Sequence, residues 1–196
     1  MNTLTGIHTL IKYVINSNVF FPLFYNIRQY LDKKHIRAIF YTMIYSRIKY
    51  GCIVTGQTHI NNINKIQTLQ NRLLKVLSYK HYRYPTNKLH NEMSILKFTD
   101  MIKQETLSFV YKYIHGKLPI VFEKYFIHRH ELTEMIAEQR KRRFTPPIHN
   151  NFIGACTIKV VGSQLLNKNS SKLKLNNSIK TFRTNVKQMY LPYPES

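Results

Sequence analysis

Over the first two thirds of the chain, apolar residues recur every three to four positions, the spacing of amphipathic helices. The clearest stripe lies in "INNINKIQTLQNRLLKVLS". Ile63, Ile66, Leu69, Leu73, Leu74 and Leu77 share one helical face there, and Lys65, Arg72 and Lys75 occupy the opposite one. Upstream, residues 3–16 and 19–30 are weakly amphipathic, with Pro22 tolerable near a first turn. Asp32 is placed to cap a helix over 33–50 that Gly51 would stop. Along that helix Ile36, Ile39, Phe40, Met43 and Ile44 line one side, and one turn further the stripe reaches Arg47. A charged side chain there either snorkels toward the last carbonyls of the helix or marks a face that meets nucleic acid rather than a dry core. A short helix is expected over 86–93. Thr99 would then cap "DMIKQETLSFVYKYIH", with Ile102, Phe109, Val110 and Tyr113 inward and Gly116 at its end.

Beyond "GKLPIVFEKYF" the texture changes. "HRHELTEMIAEQ" predicts a short polar helix, followed by the run Arg140, Lys141, Arg142, Arg143. Two prolines keep "FTPPIHNNFIG" extended or looped. "CTIKVVG" predicts a strand and "NKNSSKLKLNNS" a loop. Ser178 can cap a last helix carrying Ile179, Phe182, Val186 and Met189. The expected fold is therefore mainly α. It divides into a helical bundle-like body over 1–125 and a basic C-terminal segment over 126–196, with a small β-hairpin or strand element near 140–162.

Charge adds a direction to this outline. The 196 residues contain 30 Lys+Arg and 9 Asp+Glu, a net charge of +21. Such a field favours polyanions, and nucleic acid is the usual one. Cys52 and Cys156 are the two cysteines and neither has a CxxC neighbour, which argues against a disulfide scaffold and a cysteine zinc site. No apolar run reaches the roughly 18 residues of a membrane span. The first residues lack the charged n-region of a signal peptide. The expectation is an intracellular, reducing setting, nuclear or cytoplasmic, away from membranes.

Candidate chemistry is sparse. Asp32 and Asp100 are the aspartates, and neither has an acidic neighbour with which to hold a pair of metal ions. His128, His130 and Glu131 could ligate a metal, but Glu134 stands where an HExxH motif needs its second histidine. Glu131, Glu134 and Glu138 are better matched to the neighbouring basic run. Neither a phosphate-binding GxxxxGK[ST] loop nor a GxSxG elbow is present. The residues therefore predict no catalysis, no cofactor and no metal. They offer Lys65, Arg72, Lys75 and the run Arg140, Lys141, Arg142 and Arg143 as phosphate contacts. Tyr82, Tyr84 and Phe144, interleaved with His81, Arg83 and Arg143, could stack on unpaired bases. The same residues also fit a solvated helix face and ordinary aromatic packing.

Taken as ordered phrases, the chain resembles a known family. "NIRQYLDKKHIRAIFYTMIYSRIKYGCIVTG" is similar to the "lR.yLp...l..lY.sLi.p.l.YG..vWG" segment downstream of the polymerase core in jockey-like non-LTR (LINE-type) retrotransposon reverse transcriptases. "INKIQTLQNRLLKVLS" resembles the "l..lQ.rAlRii" helix that follows, "NEMSILKFTDMIKQE" its "eLgiLkl.dl" phrase, and "KLPIVFEKYF" its "lP..f..lF". The closing region, from "RKRRFTPPIHNNFIGACTIKVVGSQLLN" to "SIKTFRTNVKQMYL", is similar to the family's last phrases. The likeness runs from about residue 16 to 191 and rests on Tyr50, Gly51, Gly56, Gln70 and Gly162 among others. Both family tryptophans are replaced, by Thr55 and Leu166, a loss of about 3–5 kcal/mol each if the positions are buried.

The resemblance implies thumb-like helices and the region beyond them, tracking the backbone of RNA or an RNA–DNA hybrid while a polymerase core elsewhere does the chemistry. Two other readings stay open. One is a decayed retroelement reading frame with no selected activity. The other is a basic interaction or scaffold module that uses the 178–190 helix as a partner face.

Overall fold

The computed structural model describes residues 17–123, 125–128, 144–146, 152–173, 175 and 178–191. The fold is mainly helical. It divides into two compact units, one reaching to Met101 and including Tyr190, the other running from Ile102 to Met189. The division falls within a helix.

The first unit is built on α1 (Ser17–Ile27), which packs along α5 (Ile60–Leu77). Because α1 begins at Ser17, Pro22 lies in its interior and not in its first turn. The stripe of α5 is buried as its spacing predicts: Ile63, Ile66, Leu69, Leu73, Leu74 and Leu77 all face the core. Each such side chain is worth about 1.5–3 kcal/mol of apolar burial. A short α6 (Thr86–Met93) follows, ended by Ser94 in the left-handed region at φ 52°.

Asp32 caps α2 (Lys33–Ile39) as expected, accepting the His35 backbone N–H at 2.9 Å. That hydrogen bond holds its carboxyl below the usual range. The chain then winds into a π-helical turn over Phe40–Tyr45 before α3 (Ser46–Tyr50). The Ser46 amide donates to the Tyr41 carbonyl, five residues back. This turn explains the misplaced charge. The buried positions are Ile36, Phe40, Ile44 and Ile48, spaced by four throughout. A four-residue step drifts about 40° around an α-helix, and the wider π turn absorbs that drift. Ile48 therefore takes the core position, and Arg47 is left half-buried beside it.

Gly51 does not stop the helix in a left-handed conformation. Its φ is −105°, and the chain resumes as α4 (Cys52–Thr55). The Gly51 carbonyl starts that turn by accepting both the Thr55 N–H at 2.8 Å and the Thr55 hydroxyl at 2.9 Å.

Helix α7 (Phe98–Ile114) begins one residue before Thr99, with the Lys97 carbonyl accepting the Asp100 and Met101 amides. It ends at Gly116, whose φ of +60° favours glycine. In the second unit β1 (Ile127–His128) pairs antiparallel with β2 (Phe144–Thr145), two residues each. Around this pair Tyr113, Phe126 and Phe144 pack ring to ring, with Phe126 and Phe144 stacked at 4.9 Å.

The strand expected at "CTIKVVG" is instead the beginning of a helix. After the short α8 (Phe152–Ala155), α9 spans Ile158–Asn169 and buries Val160, Gly162, Ser163 and Leu166. Tertiary packing overrides the β preference of Ile158, Val160 and Val161. Gly162 is the close-approach point, since a Cβ there would lie 2.9 Å from Val110 Cγ2. The last helix, α10 (Ile179–Tyr190), accepts its cap from Ser178, whose hydroxyl oxygen takes the Thr181 N–H at 3.3 Å. Phe182 of α10 packs on Tyr111 at 4.6 Å, and Arg183 pairs with Glu105.

Neither cysteine is in a disulfide. Cys52 is buried in the first unit, and Cys156 is partly exposed in the second. Among the described residues no helix is long and apolar enough to cross a membrane, and no group of three His, Cys, Asp or Glu is placed to hold a metal ion.

Candidate nucleic-acid interface

The exposed face of α5 lies opposite its leucine stripe, so the helix that supplies much of the core of the first unit also presents cations outward. Lys65 and Arg72 are exposed there and Lys75 is half-buried. Lys65 and Arg72 are separated by seven residues, about two helical turns, and so point the same way. A cleft of about 670 Å³ opens beside Arg72. Arg72 and Lys75 from α5 and Lys80 from the following loop supply its charge. Phe21 of α1 and Tyr82 of the loop supply aromatic surface. Thr68, Asn71 and Thr86 add hydroxyl and amide groups, and no carboxylate is part of the lining.

The loop is fixed from both ends. The Lys75 ammonium donates to the Tyr82 carbonyl, and the Tyr84 hydroxyl donates to Glu92 at 2.6 Å. The Glu92 carboxylate pushes the Tyr84 phenol above its ordinary value of 10.0, which leaves it protonated and structural. Lys80 lies 4.6 Å over the Tyr84 ring. Tyr82 is 67% exposed, with the His81 ring 4.4 Å away and Arg83 at 5.2 Å.

Arg28, which the sequence pattern did not single out, secures α1. Its guanidinium lies between the rings of Tyr25 at 3.8 Å and Tyr79 at 4.1 Å, and it donates to the Val76 carbonyl near the end of α5. A cation at that end also complements the helix dipole.

Behind the cleft lies a chain of oriented amides. Gln70 is fully buried, donates to the Leu96 carbonyl at 2.8 Å and accepts the Phe98 N–H at 2.8 Å. Its Oε1 also accepts from Gln67 Nε2, which donates in turn to Asn71 Oδ1 at 2.9 Å. His90 Nε2 lies 2.9 Å from the same Asn71 oxygen, and His90 Nδ1 lies 2.9 Å from the Ile95 carbonyl. Asn71 Oδ1 is thus committed to the protein, which leaves its Nδ2 as the amide's donor for the cleft. Burial pushes the His90 pKa below 6.5, with Lys97 acting in the same direction and Asp100 and the Ile95 hydrogen bond opposing.

The sequence-predicted residues therefore separate into groups. Arg72 and Lys75 meet at the cleft and Lys65 extends its row. Arg140, Lys141, Arg142 and Arg143 lie outside the described residues, as do residues 3–16 and His130, Glu131, Glu134 and Glu138. Phe144 is 1% exposed and belongs to the aromatic core, so it is not a stacking platform. Its backbone is held at both ends by the Asn167 side chain, which donates to its carbonyl at 2.8 Å and accepts its N–H. That clamp sits immediately after the basic run.

Gln70 and Gly162 are structural, Gly51 is buried, Gly56 is half-buried and Tyr50 is 90% exposed. Thr55 and Leu166, the positions that the resemblance aligns with family tryptophans, are buried, at 4% and 1% exposure. On α10, Phe182 and Val186 are buried, Phe182 against Tyr111 of the same unit. Lys80, Phe21 and Thr86 reach the cleft from three other segments, and no periodicity in the sequence marks them. No protein-family model, no curated protein and no solved structure matches this chain.

Proposed function

We propose that this chain is a non-catalytic nucleic-acid-binding module that holds RNA or an RNA–DNA hybrid by its phosphates. The observation that carries this reading is the carboxylate-free cleft of Arg72, Lys75 and Lys80 in a chain of net charge +21. Cations on phosphates gain affinity by releasing counterions, whatever the sequence bound. The run Arg140–Arg143 would supply further phosphate contacts of the same kind. In this reading the module corresponds to the thumb and downstream region of a jockey-like non-LTR reverse transcriptase, as its ordered phrases suggest. Its setting would be intracellular, nuclear or cytoplasmic, beside a polymerase core that supplies the metal-binding carboxylates.

Fluorescence anisotropy across a salt series tests the proposal. Affinity for a labelled RNA should fall steeply as salt rises, with a logarithmic slope of about −0.7 per phosphate contacted on a single strand. Arg72→Glu, or charge reversal at Arg140, Arg142 and Arg143, should weaken all sequences alike. Flat salt dependence, or loss confined to one sequence, would sink the reading.

A further inference from the structure

The cleft beside α5 has a shape and composition that ordinary phosphate tracking does not require. A duplex presents its phosphates on the outside of a wide rod and keeps its base faces stacked, so it needs a flat or grooved basic surface. This cleft is a half-open recess of about 670 Å³, a volume comparable with small-ligand sites. It combines cations with an aromatic ring and neutral hydrogen-bonding groups. Tyr82 is two-thirds exposed although it lines the recess, and its loop is pinned by Lys75 and by the Tyr84–Glu92 hydrogen bond. An exposed ring on an anchored loop is a preformed platform, so stacking on it costs little ordering. The Gln67–Gln70 chain fixes the Asn71 oxygen toward His90 and leaves Nδ2 to donate.

From this arrangement we infer that the cleft receives an unpaired nucleotide, with its base on Tyr82 and its phosphate on Arg72 and Lys80, so that the chain prefers single-stranded to duplex nucleic acid. The inference rests on the nucleic-acid reading above and narrows it. Stacking is indifferent to base identity because every base has a π face, so the preference is for strandedness and not for sequence. Asn71 Nδ2 and the Thr68 and Thr86 hydroxyls face base or sugar edges without selecting one base.

The test compares a labelled oligouridylate strand with the same strand annealed to oligoadenylate, titrated with the full chain and with Tyr82→Leu. The wild type should bind the single strand more tightly than the duplex. Tyr82→Leu should weaken the single strand by roughly tenfold, within the range of one lost stacked base, and leave the duplex nearly unchanged. Tyr82 is exposed, so the variant should keep the wild-type circular dichroism spectrum. A strand containing 4-thiouridine should crosslink to a peptide covering residues 80–86. Equal affinity for both probes, or equal loss on both in the variant, overturns the inference while phosphate binding stands. Salt-sensitive binding to neither probe overturns both.

Discussion

At the scale of single residues, the amide chain behind the cleft shows how polar groups are committed in a buried place. Gln70 satisfies the Leu96 carbonyl and the Phe98 N–H at the start of α7, and replacing it with an apolar residue would strand both, at about 1–3 kcal/mol for each unsatisfied group. His90 is the titratable member. Both of its ring nitrogens face oxygens, yet burial keeps the ring neutral over more of the pH range than a free imidazole, so only one oxygen receives a proton. The folded-state pKa lies below 6.5, so the unfolded chain takes up the proton first as pH falls. Stability should therefore hold above that value and decline as pH drops through it toward the folded pKa, levelling off below. Thermal melts from about pH 8 to about pH 5 read this directly, and His90→Gln should lose that part of the slope. A melting temperature insensitive to pH in both proteins would contradict the assignment.

Among the elements, what could be read in advance depended on whether an element's partners were local. The leucine stripe of α5 is visible because its burial follows the helical period residue by residue. Helix α9 was hidden because its inward face includes two small residues, Ser163 and Gly162, the latter required by the close approach of Val110 and Phe126. The letters left over, Ile158, Val160 and Val161, spell a strand. The π turn was hidden for another reason. An extra residue inside a helix leaves composition unchanged and shifts only the register, so the pattern delivered Arg47 to the core in place of Ile48.

That register makes a sharp prediction. Thr42 is exposed, and its hydroxyl donates to Ala38 and Ile39 carbonyls beside the widened turn. Deleting Thr42 shortens the step from Phe40 to Ile44 to three residues, a normal α spacing that keeps Ile36, Phe40, Ile44 and Ile48 aligned. The deletion should fold, with a cooperative melt near that of the parent. Deleting exposed Asn64 from α5 should instead rotate its N-terminal turn by about 100° and abolish the cooperative melt. Equal damage from the two deletions would show that the π turn is required for another purpose.

For the molecule as a whole, charge outweighs every other feature, with 30 cationic residues against 9 acidic ones. Few of these cations can be matched within the chain, and the fold spends its carboxylates locally, Glu105 on Arg183 and Glu92 on Tyr84. A bound polyanion would relieve that self-repulsion as well as gain contacts. The sequence announced the charge and two of the three cleft cations. It could not announce the recess, whose walls come from α1, α5, the loop after it and the start of α6.

The two thiols give this organisation a clock. Cys52 is sealed in one unit at 1% exposure, and Cys156 is partly open in the other. A maleimide added to the native chain should modify Cys156 promptly and Cys52 only as often as its unit opens. Timed mass spectrometry of the two peptides then reads the lifetime of the first unit without any engineered probe. Ligand that seats beside α5 should lengthen that lifetime and leave the Cys156 rate as it was.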